Sequence, residues 1–316
     1  MAVGLEDIQA AADRIAALTF QTPLRFSEWL STAESNVFLK IETVQPTSSY
    51  KIRGAVNAVE RFSAEGSADQ RLVTASAGNH GRALAYAASL FDIPLVVFIA
   101  EGAPRAKVEA IARAGAELRT CADYDSAERE AKAFARDTGG TYISPYSHED
   151  VIAGAGTIGL EIAAQQPDLD AVIVPIGGGG LVSGIGIAIK ALMPETRVLG
   201  VEVAASCPFT RSLAAGRLVA IDVKPSLADG LTGNLDPDTL TLDIVRRVVD
   251  EIVVVEEDEL REALAGVVTH EHLVIEGAAA AGPAALLSGR IKASGNLAVI
   301  LTGANIDREV LASVLR

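Results

Sequence analysis

The stretch Ala171-Val-Ile-Val-Pro-Ile-Gly-Gly-Gly-Gly-Leu-Val-Ser-Gly-Ile-Gly-Ile-Ala-Ile-Lys-Ala-Leu192 is an apolar run, four glycines and a second apolar run. Ala171 to Ile176 have the unbroken apolar character of a strand covered on both faces, and Leu181 to Leu192 are long enough for a helix. A strand passing through glycines into a helix is the repeating step of a parallel α/β sheet. Four consecutive glycines carry a large conformational entropy. At the start of a helix they present backbone N–H groups and the positive end of the helix dipole, which together make an anion site. The run therefore points to a phosphorylated ligand. A Walker loop is excluded, because Gly184 is followed by Ile185 and Gly186 where Lys and Ser/Thr are needed. A dinucleotide fold fits in part. Glu202 ends the next strand at the place of a ribose-binding acid, but the third glycine of GxGxxG falls on Val182 or Ser183. Tight strand-to-helix packing without a ligand is a third reading.

Outward from this stretch the same alternation continues. Leu5, Ile8, Ala11, Ala12, Ile15 and Leu18 recur at helical spacing until Pro23, and Val37 to Ile41 is a short strand. Strands are expected at 72–75, 95–100, 117–121, 198–203 and 298–301, and helices at about 82–91, 105–114, 126–137, 152–165 and from Arg308. Composition shows no linker, so topology places the domains. A smaller α/β unit at residues 65–145 is inserted into a larger one made of residues 1–64 and 146–316.

The 316 residues are 49% hydrophobic and 22% charged, enough for a large core. A net charge of -14 argues against nucleic acid or an anionic membrane as partner. Cys121 and Cys207 stand far apart and outside any CxxC pair, so neither a disulfide framework nor a zinc ribbon is supported, and a reducing compartment fits. The first residues are acidic where a signal peptide is basic, and apolar runs such as Leu95 to Ala100 are shorter than a membrane span. A cytoplasmic protein is expected.

One lysine is placed unusually. Thr47-Ser-Ser-Tyr-Lys-Ile-Arg-Gly-Ala55 puts Lys51 just inside a helix start, behind hydroxyl residues able to cap it. Three further segments accompany it: Thr74-Ala-Ser-Ala-Gly-Asn-His-Gly81, Glu276-Gly-Ala-Ala279 and Leu301-Thr-Gly-Ala-Asn305. Taken with the glycine run, these motifs resemble, in order and spacing, the fold type II pyridoxal phosphate enzymes, specifically the serine/threonine dehydratase and serine racemase family. The resemblance covers nearly the whole chain. It implies the tryptophan synthase beta-like fold, in which two parallel-sheet α/β domains hold the cofactor between them.

The resemblance also implies the site. Lys51 would form the Schiff base with pyridoxal 5'-phosphate, a step that needs the neutral amine favoured by desolvation and a helix N-terminus. The phosphate would lie on the backbone of Gly177, Gly178, Gly179, Gly180 and Leu181. Asn79 would meet the ring hydroxyl, Thr302 the pyridine nitrogen, and Glu276 would lie beside the ring. The substrate carboxylate would sit on Ser76, the backbone of Ala77, Asn79 and His80. Read without the resemblance, Asn79 and Thr302 are equally turn residues and Glu276 a helix cap.

A hydroxyl at the pyridine nitrogen makes the ring a weaker electron sink than a carboxylate would, which suits elimination. The expected reaction is loss of water and ammonia from L-threonine, L-serine or a related 3-hydroxy amino acid such as hydroxyaspartate, leaving a 2-keto acid. The alternative is an amino-acid racemase. Eukaryotic-type serine racemases carry a serine immediately before Gly-Asn-His-Gly as the second acid/base, and here that residue is Ala77, which carries no proton. Tyr50 and Arg82 also depart from the family, which commonly has Phe and a small or amide residue there. For the divalent cation of the racemase branch, Glu202 matches one ligand but Pro208 replaces the other, and His270 and His272 lack a third ligand, so no metal is expected. The chain ends at Arg316 without the regulatory extension of biosynthetic threonine deaminases, so a catabolic enzyme free of isoleucine feedback is expected. Dimers are common in the family, which implies a homodimer.

Overall fold

The apolar runs become the inner strands of two sheets. The computed structural model describes residues 3–64, 71–103 and 105–316. In chain order the first elements are α1 (Leu5–Ile15), β1 (Leu24–Thr32), β2 (Ser35–Ile41), α2 (Lys51–Ala64), β3 (Leu72–Ala75) and α3 (Asn79–Leu90). Next come β4 (Leu95–Ala100), α4 (Arg105–Arg113), β5 (Glu117–Cys121), α5 (Tyr124–Thr138), β6 (Thr141–Tyr142), α6 (Glu149–Gln165), β7 (Ala171–Pro175) and α7 (Gly180–Leu192). The chain continues through β8 (Arg197–Val203), α8 (Pro208–Ala215), α9 (Thr241–Val248), β9 (Glu251–Val255), α10 (Glu257–Gly266), α11 (Gly277–Leu287), β10 (Gly295–Leu301) and α12 (Arg308–Val314).

Among the described residues one sheet has the order β1-β2-β10-β7-β8-β9 and the other β5-β4-β3-β6. The late strand β10 lies between β2 and β7, with Leu297 opposite Val37 on one side and Ala171 on the other. Both ends of the chain therefore build one sheet. The second sheet is parallel throughout and comes from residues 72–142 alone. The boundary expected between residues 64 and 65 adjoins 65–70, which lie outside the described residues.

The first sheet is parallel except for β1, which runs antiparallel to β2 with Phe26 opposite Phe38. This strand has no counterpart among the sequence expectations. As the edge of the sheet it buries only Ser27 and Leu30, and its register shifts between Ser27 and Thr32, so apolar alternation is absent. By contrast every residue of β7 is buried.

The helices that matter for the site pack backbone to backbone. A Cβ on Gly154 of α6 would lie 2.6 Å from Gly54 Cα of α2, and one on Gly184 of α7 2.3 Å from the Ile152 carbonyl of α6. Only glycine permits these approaches, and they fix the first turn of α2 relative to the glycine run. No helix among the described residues is long and apolar enough to cross a membrane.

Candidate active site

Lys51 is the first residue of α2, as expected, but its helix is not held as expected. Among the described residues, the buried hydroxyl oxygens of Thr47 and Ser49 have no hydrogen-bond partner, so neither caps the helix. The loop after β10 takes that role. Tyr50 N–H donates to the Thr302 carbonyl (3.0 Å) and Ala304 N–H to the Ser48 carbonyl (2.9 Å). Ser48 adopts the left-handed region, φ 57°, to make the turn.

The Lys51 side chain points into the protein. Nζ donates to the Pro145 carbonyl at 2.7 Å and lies 5.2 Å from the centroid of the Tyr50 ring. Burial pushes its pKa down to about 8, against the opposing pull of the Glu276 charge. A buried amine held by a carbonyl rather than a carboxylate keeps a neutral fraction near neutral pH, as a nucleophile or base requires.

Tyr146 joins Lys51 to the glycine run. Its neighbour Pro145 holds the amine, and its ring covers Gly178, where a Cβ would lie 2.2 Å from the ring. The ring is fixed by Asp236 N–H, which donates to Tyr146 Oη at 2.9 Å. Gly179 has φ 86°, and a Cβ there would strike the Phe209 ring at 2.5 Å. Helix α7 starts at Gly180, so the amides of Gly180, Leu181 and Val182 are first-turn donors without an intrahelical acceptor. Gly180 and Leu181 belong to the stretch Gly177 to Leu181 expected from the sequence, and Val182 adds a further amide beyond it.

The asparagine loop closes the opposite side. Strand β3 ends at Ala75, and Gly81 packs so tightly on the turn that a Cβ would lie 2.0 Å from the Ser76 carbonyl. The following helix starts at Asn79, three residues before the expected Arg82, which places Ser76, Ala77 and Gly78 directly ahead of its N-terminus. Asn79 Nδ2 donates to Glu276 Oε1 at 2.7 Å, and Asn305 Nδ2 donates to Asn79 Oδ1 at 2.7 Å. Glu276 stands at the N-cap position of α11 with its carboxylate turned to Asn79. Burial raises its pKa to about 7, although the Asn79 bond works the other way. Thr302 is buried, and its Oγ1 has no partner among the described residues.

His80 is buried with Nε2 3.3 Å from the Ile143 carbonyl. Burial and the nearby Lys51 charge lower its pKa to about 3, so the ring is neutral. Its proton sits on Nε2, and Nδ1 is left as an acceptor without a partner among the described residues.

Asn79 bonds Glu276, whose charge acts on Lys51 and whose N–H donates to the Gly303 carbonyl (3.0 Å) next to Thr302, with Ser76 to His80 at one helix start and Gly177 to Leu181 at another. Sequence reasoning missed Pro145, Tyr146 and Asn305. A carbonyl such as that of Pro145 leaves no mark in a sequence, whereas Asn305 lay inside a quoted motif and invited a role.

The rival readings lose their residues. Both oxygens of Glu202 accept from the start of α8: Phe209 N–H at 2.8 Å, Thr210 N–H at 2.8 Å and Thr210 Oγ1 at 2.6 Å. That carboxylate is occupied by its own chain. His270 stacks on Trp29 at 5.0 Å between ring centroids. The described residues contain no cluster of His, Cys, Asp and Glu able to hold a metal ion. Cys121 and Cys207 are both free thiols.

Residues 15–303 match the family model described as pyridoxal-phosphate dependent enzyme. The L-threonine ammonia-lyase of Thermotoga maritima is 36% identical over 315 residues, covering 99% of this chain and 78% of that protein. The catabolic L-threonine dehydratase of Escherichia coli is 37% identical over 312 residues, covering 96% and 94%. Among solved structures, maize serine racemase superposes with a TM-score of 0.92 at 33% identity, covering 99% of this chain and 97% of that one.

Proposed function

Because the chain belongs to the pyridoxal-phosphate dependent enzymes, we propose that it is a dehydratase that removes water and ammonia from L-serine, L-threonine or a related 3-hydroxy amino acid. The residues present fit the cofactor. Thr302 offers a buried hydroxyl without a partner among the described residues, and the glycine run offers first-turn amides with no side-chain cap bonded at the N-cap position. In this reading Lys51 holds pyridoxal phosphate covalently, Gly177 to Leu181 take its phosphate, Asn79 its ring hydroxyl and Thr302 its pyridine nitrogen, with Glu276 beside the ring. When bound, the cofactor supplies an electron sink for the charge left at Cα.

The chain's own residues supply the rest. Lys51 removes the Cα proton as a base, which its lowered pKa supports. The N-terminus of α3, from Ser76 through Asn79, binds the substrate carboxylate with backbone amides and the helix dipole. His80 contributes through its N–H on the backbone, since the free ring nitrogen is an acceptor and would repel a carboxylate. Pro145 orients the amine and the Tyr146 ring keeps water from the glycine run. Ala77 ends in a methyl group and returns no proton to the opposite face of Cα, which favours elimination over racemisation.

The carrying observation is Lys51: a buried amine on a backbone carbonyl, one residue from the ring that covers the glycine run. The test is a panel of 3-hydroxy amino acids incubated with the cofactor-loaded protein, followed by keto-acid and ammonia assays and chiral chromatography. Equal amounts of keto acid and ammonia are the expected result. A D-amino acid formed without keto acid would replace the lyase with a racemase. A cytoplasmic homodimer belongs to the same proposal, supported by the free thiols and the family, and light scattering tests the dimer.

A further inference from the structure

Arg82 departs from the family pattern and has no place in the chemistry above, yet it is bonded into the site. Its Nη1 donates to Asn305 Oδ1 at 2.5 Å. Asn305 Nδ2 donates to Asn79 Oδ1 at 2.7 Å and to the Thr47 carbonyl at 3.0 Å. Asn79 Nδ2 donates to Glu276 Oε1 at 2.7 Å. A chain of donors thus runs from a guanidinium through two amides to a carboxylate, every link pointing the same way.

Direction matters because an amide can turn over. Turning Asn305 would set its NH2 against a guanidinium that cannot accept and its oxygen against the Thr47 carbonyl. Turning Asn79 would set donor against donor at Asn305 and acceptor against acceptor at Glu276. In the observed sense, one hydrogen of Asn79 Nδ2 is spent on Glu276 and the second remains for a ligand. A cation at the head of such a chain also polarises each amide in turn, which strengthens the last donor to the carboxylate.

We propose that Arg82 is a positioning residue for the cofactor pocket: acting through Asn305, it fixes the direction of the Asn79 amide and so directs that amide's N–H onto the Glu276 carboxylate opposite it. The inference rests on the cofactor reading above. Glu276 is also faced by Lys107 from α4, by Asp229 from the turn before Gly230 and by Lys51 and Tyr50 from the start of α2. Lys107 is itself paired with Asp229 at 2.6 Å, so those two charges largely offset each other. Among the described residues, Arg82 is then the cation joined to Glu276 through side-chain bonds alone. It is half-buried and lines a cavity of about 120 Å³ with Asn79, Lys107, Asn305 and Asp307, so shortening it opens no sealed void.

The test uses the cofactor-loaded wild type, Arg82→Met and Arg82→Lys. Pyridoxal phosphate affinity is measured by absorbance, and the spectrum of the bound cofactor is titrated with pH. The acid-side break of that titration is assigned to Glu276 by its loss in Glu276→Gln. Arg82→Met is expected to weaken cofactor affinity by about tenfold, the size of one charge-assisted hydrogen bond, and to move the break to higher pH because the Glu276 anion loses support. Arg82→Lys keeps a cation that can donate and is expected to restore both readouts to within about threefold of wild type. A merely structural arginine would lower the thermal midpoint of the Met variant and leave the break where it is. An unmoved break with unchanged affinity overturns the inference, as does a Lys variant as impaired as the Met variant. If the wild type takes up no pyridoxal phosphate, the cofactor reading fails as well, whereas a normal wild type beside an unaffected Met variant sinks this inference alone.

Discussion

Lys51 and Arg53 sit two residues apart on one helix, and the protein treats their charges in opposite ways. Arg53 is 1% exposed and saturated: Nε and Nη2 each donate to Glu42 at 2.8 Å, and Nη1 donates to Glu161 at 2.6 Å. Burial alone would lower its pKa, but the two carboxylates outweigh burial and raise it. Lys40 joins the same cluster, 2.5 Å from Glu161. Lys51 has a carbonyl where Arg53 has carboxylates, and its pKa falls instead to about 8. Arg53 is fully buried and Lys51 partly so, and their partners set them further apart: two carboxylates hold the charge of Arg53, whereas a carbonyl leaves that of Lys51 easier to lose.

The same substitution at the two positions tests this contrast. Lys51→Met should lower kcat by about 10^4-fold, the upper range for a lost acid/base group, and leave stability unchanged or higher, because an ammonium without a carboxylate partner is removed. Retained turnover, or a collapse in stability, would break the comparison from the catalytic side. Arg53→Met should leave Glu42 and Glu161 buried without their cation and cost about 3–5 kcal/mol of stability, read by denaturant unfolding. A loss below about 1 kcal/mol would show that the cluster holds nothing together.

A pH series sharpens the difference. Loading of the apoprotein with pyridoxal phosphate needs neutral Lys51, so its rate should rise with pH to a plateau above about 8 and fall about tenfold per unit below it. A rate flat from about pH 6 to 9 would mean that the amine is not desolvated as the structure has it. The smallest effects come from two buried threonines. Thr22 Oγ1 donates to Glu42 at 2.6 Å, whereas Thr302 Oγ1 has no partner among the described residues. Thr22→Val should cost about 1–3 kcal/mol of stability. Thr302→Val should cost nothing in the apoprotein and weaken cofactor binding by about threefold to tenfold.

The architecture was legible where apolar runs are buried on both faces, as in β4, β7 and β8 and the short β3, and at the glycine run that opens α7. It was not legible at β1, whose edge position leaves it partly exposed and bulged. Strand β9 carries a β-branched run, Ile252 to Val255, and went unread although its signal was present. In the candidate site, Lys51, Asn79, Glu276 and Thr302 were proposed from motifs whose residues act through side chains. Pro145 and Tyr146 were not found, because one acts through a carbonyl and the other by filling space over Gly178. The hydroxyl cap expected for α2 was replaced by backbone bonds from residues 302 to 304, a long-range contact that spacing along the chain cannot reveal.

The central claim is that Lys51 is the lysine that carries the cofactor. Borohydride reduction of the pyridoxal phosphate-loaded protein, followed by digestion and mass spectrometry, reads the attachment point directly. A pyridoxyl group on the peptide containing Lys51, and its disappearance in Lys51→Met, are the expected results. A stable adduct on Lys40, Lys107 or any other lysine in place of Lys51 would contradict it.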